Sequence, residues 1–368
     1  MRILMILPTF DYAGGIESFV MNNIRCFGSD VSVDVLSHEI SAKKYVDEVK
    51  ARGGNVFNFP RFSLSSINDI SSRFKRLLQT HSYDIIHCHM ANAAFLYLRI
   101  ANQNGIKVRI IHSHQERAAD TILHALRNYP LLKIGKKYAN VYLACSQNAG
   151  RFLFKDCSFN EIDNGIDYDK FRYSEMSRVE IRKELGIAES EIAVVHTGRF
   201  CPQKNQLLLL KIFKEFHMVH SNAVLYLVGD GEDKNKILGW IKEYQLDDSV
   251  KMIGLRTDIE KILSGMDLFL FPSLYEGLPI SLLEAQASSL PCVCSDTIPR
   301  ETDISGNISF VSLHTSLSVW IEEAEKLLKS NIRNKDIELR KEHSVEYGAK
   351  KLYDIYKRSL VNEDTVNT

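Results

Sequence analysis

The sequence predicts an α/β protein with two domains, each built on a parallel β-sheet that helices cover on both faces. The chain of 368 residues is longer than one ordinary compact domain needs and about long enough for two. Short apolar runs alternate with amphipathic helical stretches, which is typical of parallel strands joined through helices. The series of strands starts again after a polar stretch at residues 160–177. We therefore place the domain boundary near residue 170.

Each domain has its own predicted strands and helices. In the first domain, residues 1–170, strands are predicted at 3–7, 31–36, 56–59, 84–89, 108–112 and 141–145, with helices at 16–27, 66–79 and 93–103. In the second domain, residues 171–344, strands are predicted at 193–197, 224–228, 250–253, 268–271 and 292–294, with helices at 207–217, 234–244 and 280–288. Residues 345–368 should form a last helix and tail that could pack on either domain, including back on the first.

Composition narrows the class of protein. The formal net charge is zero, so there is no overall electrostatic attraction to nucleic acid. No apolar run approaches the ~20 residues that a helix needs to span a bilayer, and the first apolar run suits a buried strand better than a signal peptide. Seven cysteines are scattered without a Cys-x-x-Cys pair, as in a reducing compartment. We expect a soluble cytoplasmic protein.

The most informative segment is 271–296, FPSLYEGLPISLLEAQASSLPCVCSD, where seven residues separate Glu276 from Glu284. Ligands of open α/β sheets bind at the carboxyl ends of the strands, and this segment follows a strand. Pro279 suits the first turn of the next helix, and free N–H groups around residues 278–282 would face an anion. Such a loop suits a diphosphate or sugar hydroxyls. We expect Glu284 to accept hydrogen bonds from a ribose diol and Glu276 to bind the transferred sugar.

Two further loops carry residues suited to a phosphate. The segment GRFCPQKN places Arg199 and Lys204 after the first strand of the second domain, and an arginine fork with a lysine point charge suits a diphosphate. Gly14 and Gly15 follow the first strand of the chain, where glycine lets the backbone approach a phosphate or an acceptor closely. Solvated surface charges and a flexible turn are the alternatives for these loops.

Four histidines alternate along two predicted strands. His87 and His89 share one face of their strand, as do His112 and His114, so two His-x-His pairs could form a metal site. No clear set of carboxylate ligands accompanies them, and one histidine of each pair is more commonly a packed strand residue. We favour His114 as the functional histidine because it closes its strand, and His112 is the competing choice.

Together these motifs resemble glycosyltransferase family 4, the retaining enzymes of the GT-B fold, whose signature is F-P-S-x-x-E-G-x-P-x-x-x-x-E-A. Within the family, the chain is most similar to bacterial capsule and exopolysaccharide glycosyltransferases. Further matching segments span nearly the whole chain: GGIESFV, DIIHCHM, IIHSH, ACS, NGID, GRFCPQKN and LVGDGED. The resemblance implies two facing Rossmann-like domains with a deep cleft between them, and a nucleotide-sugar donor held by the second domain.

The resemblance also implies roles for individual residues. Arg199 and Lys204 would neutralise the donor diphosphate and the leaving group, so that neither a metal nor another cofactor is needed. Glu276 would hold the transferred sugar, Gly15 would contact the diphosphate from the first domain, and His114 would help to position the sugar. The implied catalytic residues are Glu276, His114, Arg199 and Lys204, and the rest of the donor site is Gly15, Gly254, Leu255, Gly277, Leu278, Pro279, Ile280 and Glu284.

The resemblance bears on the substrates as well. The donor is expected to be a UDP-sugar whose base is read by backbone groups near residues 254–256, and the acceptor is expected to be lipid-linked or a saccharide. Two basic apolar runs, at 73–78 and 126–138, could contact the inner face of the plasma membrane, with Lys133, Lys136 and Lys137 in the second run. An ordinary solvated helix face is the alternative for both runs.

Two motifs and two other functions are weighed against this interpretation. Asp167-Tyr168-Asp169 matches the metal motif of the other glycosyltransferase fold but falls in the predicted linker, so we interpret it as coincidence. Cys292 and Cys294 lie on a buried strand and suit core packing better than redox chemistry. A nucleotide-sugar 2-epimerase has the same architecture but needs no acceptor. A non-catalytic scaffold of a polysaccharide-assembly complex is the third possibility, although every polar position expected to bind the donor is filled.

Overall fold

The computed structural model describes residues 1–11, 15–114, 122–162, 165–276, 278–330, 333 and 339–366. The chain divides into two compact units, of which the first contains Met1–Gly165 together with Val345–Thr368 and the second contains Ile166–Ser344. The chain thus passes between the units at residues 165–166, slightly before the boundary predicted near residue 170. None of the described helices is long and apolar enough to cross a membrane.

The first unit is built on a parallel sheet of seven described strands in the order β3-β2-β1-β4-β5-β6-β7. These strands are β1 (Arg2–Leu7), β2 (Ser32–Ser37), β3 (Val56–Asn58), β4 (Ile85–Cys88), β5 (Val108–Ser113), β6 (Val141–Ala144) and β7 (Asn160–Glu161). Their sequences explain why they are buried. In β1, RILMIL, the last five residues are all buried, as expected for a parallel strand that is covered on both faces.

Helices connect these strands in parallel crossovers. They are α1 (Gly15–Cys26), α2 (Lys43–Ala51), α3 (Ile67–Thr80), α4 (Ala94–Gln103), α5 (Ile122–Tyr138) and α6 (Gln147–Phe154). In α3 the apolar residues Ile70, Phe74 and Leu77 recur at helical spacing and are the buried ones. Ser146 caps α6, because its hydroxyl accepts a hydrogen bond from the Ala149 N–H (3.1 Å).

The second unit repeats this plan. Its described strands are β8 (Ile192–Thr197), β9 (Ala223–Val228), β10 (Val250–Gly254), β11 (Leu268–Phe271), β12 (Cys292–Ser295) and β13 (Ile308–Val311). They form a parallel sheet in the order β10-β9-β8-β11-β12-β13. The helices are α7 (Tyr168–Phe171), α8 (Glu175–Leu185), α9 (Gln206–Val219), α10 (Lys234–Glu243), α11 (Ile259–Gly265), α12 (Ile280–Ala287) and α13 (Leu317–Ser330).

The last helix, α14 (Val345–Val366), belongs to the first unit. Its buried side chains Leu352, Ile355 and Tyr356 join the apolar core that β1 and α1 form on one face of the sheet. A second core fills the other face, and the sheet of the second unit is likewise covered by a core on each side. Each unit therefore buries both faces of its own sheet.

In each sheet the order of the strands reverses at one point. In the first unit the chain winds outward in opposite directions from β1 and β4, and in the second unit from β8 and β11. Loops at the carboxyl ends of such neighbouring strands separate from each other and leave a crevice in which ligands bind. The loops after β8 and β11, which carry Arg199, Lys204 and Glu276, therefore leave the second sheet at its switch point.

Candidate functional site

The loops after β8 and β11 are joined by an ion pair. The Lys204 ammonium donates a hydrogen bond to Glu276 Oε1 (2.7 Å), and both side chains are largely withdrawn from solvent. Gln203 donates to the other carboxylate oxygen of Glu276 (3.2 Å), so both oxygens have a donor. Lys204 Nζ also lies 4.5 Å from the centre of the Phe271 ring, within cation–π range. Two residues that the sequence assigns to the donor thus contact each other.

Backbone contacts hold these two loops together. The Leu274 N–H donates to the Gln203 carbonyl (2.8 Å), and the Asn205 side chain donates to the Pro272 carbonyl (3.1 Å). Asn205 adopts a left-handed conformation with φ of 53°, which asparagine tolerates better than most residues. The sequence Pro-Gln-Lys-Asn thereby forms a short turn before α9 that places Lys204 beside Glu276.

Arg199 lies in the same loop as Lys204 but with an exposed side chain. Its carbonyl accepts a hydrogen bond from the buried Gln206 amide (3.0 Å), which fixes the backbone. The described part of the chain provides no ion pair for the Arg199 guanidinium, in contrast to Lys204. The structure therefore places Lys204 and Glu276 in contact and leaves Arg199 at the surface of the same loop.

The helix start after Glu276 differs in one respect from the prediction. α12 begins at Ile280, so Pro279 is the capping residue before the helix and not a residue of its first turn. The Pro279 carbonyl accepts hydrogen bonds from the N–H groups of Leu282 (3.0 Å) and Leu283 (3.2 Å). The prediction of free N–H groups through residue 282 is therefore wrong at Leu282, because the first turn closes tightly on Pro279. Gly277 lies outside the described residues.

Glu284 occupies α12 and is half-buried. Burial raises the pKa of its carboxyl group to about 7. The charge of nearby Lys170 opposes this shift, and the charge of Glu260 adds a smaller increase. A carboxyl group with this pKa is partly protonated near neutral pH and can then donate as well as accept a hydrogen bond. Leu278 and Ile280 are half-buried and pack against the apolar core on one face of the second sheet.

The predicted base-reading segment follows β10. Gly254 has φ of 72°, a conformation that glycine adopts readily, and its carbonyl accepts a hydrogen bond from the Gly229 N–H (2.9 Å). Leu255 is 73% exposed, which is unusual for a large apolar side chain. Arg256 donates to both oxygens of Asp258 (2.9 and 2.7 Å) and pairs with Glu184 (2.8 Å). This segment therefore has an anchored backbone and one outward apolar side chain.

In the first unit, Gly15 is the exposed first residue of α1, while Gly14 lies outside the described residues. Two residues later, the Glu17 carboxylate is buried and accepts a hydrogen bond from the Thr9 hydroxyl. Burial raises the pKa of Glu17, and this hydrogen bond partly opposes the shift. The sequence analysis did not single out this carboxylate, although a glutamate two positions after a glycine pair, at a helix start, is a visible signal.

The four predicted histidines form one cluster, His87, His89, His112 and His114. Hydrogen bonds join His87 Nε2 to His112 Nδ1 (3.1 Å) and His89 Nδ1 to His114 Nε2 (2.9 Å). His112 is fully buried, whereas His114 is only half-buried, so His114 is the better placed of the two to reach a ligand. Burial lowers the pKa of His114 to about 3, which keeps its ring neutral at physiological pH.

The cluster could hold a metal ion, because ring nitrogens of His87, His89 and His112 lie within 4.8 Å of one another. Both nitrogens of His87 already have partners, since Nδ1 lies 2.6 Å from the Tyr356 hydroxyl of α14. The Phe19 ring also packs edge-on, 5.1 Å from His112. Neutral imidazoles satisfy most of these contacts by themselves, so the arrangement favours a hydrogen-bonded packing cluster.

The remaining motifs have structural explanations. Asp167 caps α7 by accepting a hydrogen bond from the Lys170 N–H (2.9 Å), while Asp169 pairs with Arg172 (3.1 Å), so the two carboxylates face different partners. Cys292 and Cys294 are buried on β12, as core packing requires. The interpretation of both motifs as non-catalytic agrees with these contacts.

The two basic runs differ in what they present. In the run at 73–78, Phe74 and Leu77 are buried and Arg73 pairs with Asp69, which leaves little apolar surface. In α5, Tyr129 and Ile134 are each 42% exposed. Lys133 and Lys137 are exposed as well, whereas the Lys136 ammonium donates to the Phe154 carbonyl (2.8 Å). The inclusion of Lys136 among the surface cations is therefore wrong, because its charge serves to cap α6.

Comparison with known proteins agrees with this architecture. Residues 13–170 match the model of "Glycosyltransferase Family 4", and residues 177–343 match that of "Glycosyl transferases group 1". The chain is 29% identical to EpsF of Bacillus subtilis (strain 168), provisionally named a glycosyltransferase, over 87% of this chain and 86% of that one. It is also 29% identical to an Escherichia coli protein, "UDP-Gal:alpha-D-GlcNAc-diphosphoundecaprenol alpha-1,3-galactosyltransferase", over 64% of each chain.

A solved structure supports the fold. The crystal structure of Anabaena Alr3699/HepE in complex with UDP and glucose superposes with a TM-score of 0.72 at 17% identity, covering 99% of this chain and 97% of that one. The prediction of two parallel-sheet α/β domains of the GT-B type is confirmed. The names of the relatives support neither the epimerase nor the scaffold. The chain belongs to the glycosyltransferases of family 4, with a family 4 first half and a group 1 second half.

Proposed function

We propose that this chain transfers a sugar from a UDP-sugar to a lipid-linked or saccharide acceptor in capsule or exopolysaccharide biosynthesis. The observation that carries the proposal is the Lys204–Glu276 pair, which lies with Arg199 at the carboxyl ends of neighbouring strands. One relative is named for a UDP-linked donor and a polyprenol diphosphate acceptor, and a structure of the same fold is titled with UDP and glucose.

In the proposed reaction the bond between the sugar carbon and the diphosphate breaks with retention of configuration. Arg199 and Lys204 would balance the charge that develops on the leaving diphosphate, so the chemistry would not depend on a bound metal ion. The acceptor oxygen bonds to the same face of the sugar, and its proton goes to the departing phosphate. Glu276 would hold the sugar hydroxyls, and Glu284 the ribose. Gly15 and His114 of the first unit would act on the same donor, as the family resemblance implies.

The test is thermal unfolding with excess UDP, GDP and ADP, each with and without magnesium. A ligand at a hundred times its dissociation constant adds ~2.7 kcal/mol of stability, which is readily measured. We expect stabilisation by UDP alone, independent of magnesium. Stabilisation by GDP or ADP would reassign the donor, and stabilisation by none of the three would contradict the donor site. The epimerase is tested separately, by incubating the protein with a nucleotide sugar and no acceptor. Formation of an isomerised nucleotide sugar would indicate the epimerase.

We also propose that α5 contacts the anionic surface of the membrane from which a lipid-linked acceptor is taken. Tyr129 and Ile134 offer exposed apolar surface on a helix that also carries exposed lysines. Lys133 and Lys155 both lie over the Tyr129 ring, and Lys137 is exposed on the same helix. An aromatic and aliphatic surface bordered by lysines suits the interface of an anionic bilayer.

This contact is tested with the double variant Lys133→Glu/Lys137→Glu. We expect it to lose binding to vesicles that contain anionic lipid while it stays folded, because both lysines are exposed. Lys75→Glu/Arg76→Glu on α3 is the matched control, since it makes the same total charge change at two exposed positions of another helix of the unit. Equal binding of the double variant and the control would contradict the proposed surface.

A further inference from the structure

His196 is a buried histidine on β8 that the sequence analysis and the proposed function leave without a role. Its side chain is fully buried, and its Nδ1 lies 3.0 Å from the Leu270 carbonyl oxygen on the neighbouring strand β11. A carbonyl oxygen only accepts hydrogen bonds, so Nδ1 must carry the proton and donate it. The other nitrogen, Nε2, is then an unprotonated acceptor. Burial lowers the pKa of His196 to about 4, so the ring stays neutral and this lone pair is retained at neutral pH.

This lone pair has no hydrogen-bond partner among the described residues, although it is completely buried. An unpaired buried polar atom is costly, and such an atom in a folded protein calls for an explanation. The hydroxyl oxygens of Thr197 and Ser273 are also buried without a described partner. Thr197 is the last residue of β8, and Ser273 lies two residues after the end of β11. Three of the buried polar atoms without a described partner therefore lie beneath the loops that carry Lys204 and Glu276.

Gly198 shows where the Nε2 atom faces. A Cβ atom added at Gly198 would meet Lys204 Cε at 3.2 Å and His196 Nε2 at 3.8 Å. The histidine lone pair and the end of the lysine stem thus border the same small space, which stays open because residue 198 has no side chain. The positive charge of Lys204 also acts on His196 and contributes to its lowered pKa.

The chemistry of Lys204 supplies a use for this acceptor. In the structure the ammonium donates to Glu276, but the proposed function assigns Glu276 to the sugar and Lys204 to the diphosphate. If Glu276 turns to the sugar hydroxyls, the ammonium loses the acceptor that it has in the structure. One of its three N–H bonds could then donate to another protein acceptor, and two would still be available for the phosphate. An acceptor beside the end of the lysine stem would then keep the ammonium directed at the diphosphate.

We propose that His196 is a positioning residue of the donor site, whose Nε2 accepts a hydrogen bond from Lys204 when the nucleotide diphosphate is bound. This inference rests on the proposed function, because it assumes that Lys204 contacts the diphosphate. His196 would act through Lys204 and would not touch the donor itself. Its effect should therefore appear with the diphosphate group and be absent with the nucleoside alone.

Two substitutions separate the nitrogen atoms of His196. His196→Gln places an amide oxygen near the position of Nε2 and can keep the acceptor, whereas His196→Asn keeps a donor near Nδ1 and removes the acceptor. Dissociation constants for UDP and for uridine are measured by calorimetry on the full chain. We expect His196→Asn to weaken UDP binding about tenfold, the usual effect of losing a hydrogen bond to a charged group, and to leave uridine binding unchanged. His196→Gln should bind both ligands almost as the unmodified protein does.

Lys204→Met distinguishes the failure of this inference from the failure of the proposed function. If Lys204→Met weakens UDP but not uridine, while folded His196→Asn binds UDP normally, His196 has no positioning role and the donor site stands. Equal weakening of UDP and uridine in His196→Asn would show a packing role and would also overturn the inference. If Lys204→Met does not weaken UDP, the donor site itself is wrong and the inference is refuted with it.

A measurement on the unmodified protein covers the case in which His196→Asn does not fold. The ¹⁵N resonance of the unprotonated Nε2 should move in the direction of a newly accepted hydrogen bond when UDP is added, and should not move with uridine. An Nε2 resonance that UDP leaves in place would contradict the proposal.

Discussion

Glu284→Gln should stabilise the protein above neutral pH, although Glu284 is one of the residues proposed to bind the donor. Burial raises the pKa of this carboxyl group from 4.5 to about 7. The folded chain therefore holds a proton more tightly than the unfolded chain, and the stability contributed by this group falls as pH rises through that interval. Glutamine has a similar shape and no charge, so it removes the penalty of ionisation.

The size of the effect follows from the shift. One pKa unit corresponds to about 1.4 kcal/mol, so a shift from 4.5 to about 7 corresponds to about 3 kcal/mol at most. Solvent reaches part of the side chain, and glutamine also loses the favourable interaction with Lys170. We therefore expect a gain of about 1–2 kcal/mol at pH 8. In a unit of this size that gain raises the midpoint of thermal unfolding by roughly 2–8 °C.

The assay is scanning calorimetry of Glu284→Gln and the unmodified chain at pH 8 and at pH 4.5. The gain should be present at pH 8 and largely absent at pH 4.5, where the native carboxyl group is protonated and behaves much like glutamine. Glu243→Gln, an exposed substitution at the end of α10 in the same unit, is the control for the loss of one negative charge. An equal gain at both pH values, or an equal gain in the control, would refute the reasoning.

Three further outcomes are expected. Gly198→Ala should weaken UDP binding more than uridine binding in calorimetry, because its Cβ would lie 3.2 Å from Lys204 Cε and because alanine rarely adopts the φ of 154° found at Gly198; unchanged UDP affinity would contradict this packing. Tyr356→Phe should destabilise the first unit by about 1–3 kcal/mol in thermal unfolding, because His87 Nδ1 loses its partner; an unchanged midpoint would mean that water replaces the hydroxyl. Glu276→Gln should fold normally yet lose sugar transfer, and full activity would show that its assigned role is wrong.

The alternation of strands and helices could be predicted because apolar runs mark buried parallel strands directly. β1, β5 and β9 were all predicted within a residue or two of their observed ends. Short or polar elements escaped the analysis, such as β7, Asn160–Glu161, whose sequence carries no apolar pattern. Its pairing with β6 comes from the tertiary structure.

The chemistry of the site could be predicted only in part. A loop motif shows which polar residues follow the strands at one edge of the sheet, so Lys204 and Glu276 could both be predicted from the sequence. Their mutual ion pair depends on cross-loop hydrogen bonds that no single segment encodes. His196 was missed because a histidine inside an apolar strand looks like core packing. Only the position of Leu270 on the next strand reveals which ring nitrogen is left as an acceptor.

The placement of α14 has a consequence for the order in which the chain can fold. Most of the first unit is synthesised before the second unit, yet its last helix is synthesised after the whole second unit. Until Leu352, Ile355 and Tyr356 arrive, the apolar face of β1 and α1 remains uncovered. The second unit has all its strands in one uninterrupted segment and can complete its core first. A fragment that stops at residue 165 should therefore be prone to aggregation, whereas one that spans residues 166–344 should be the better candidate for independent expression.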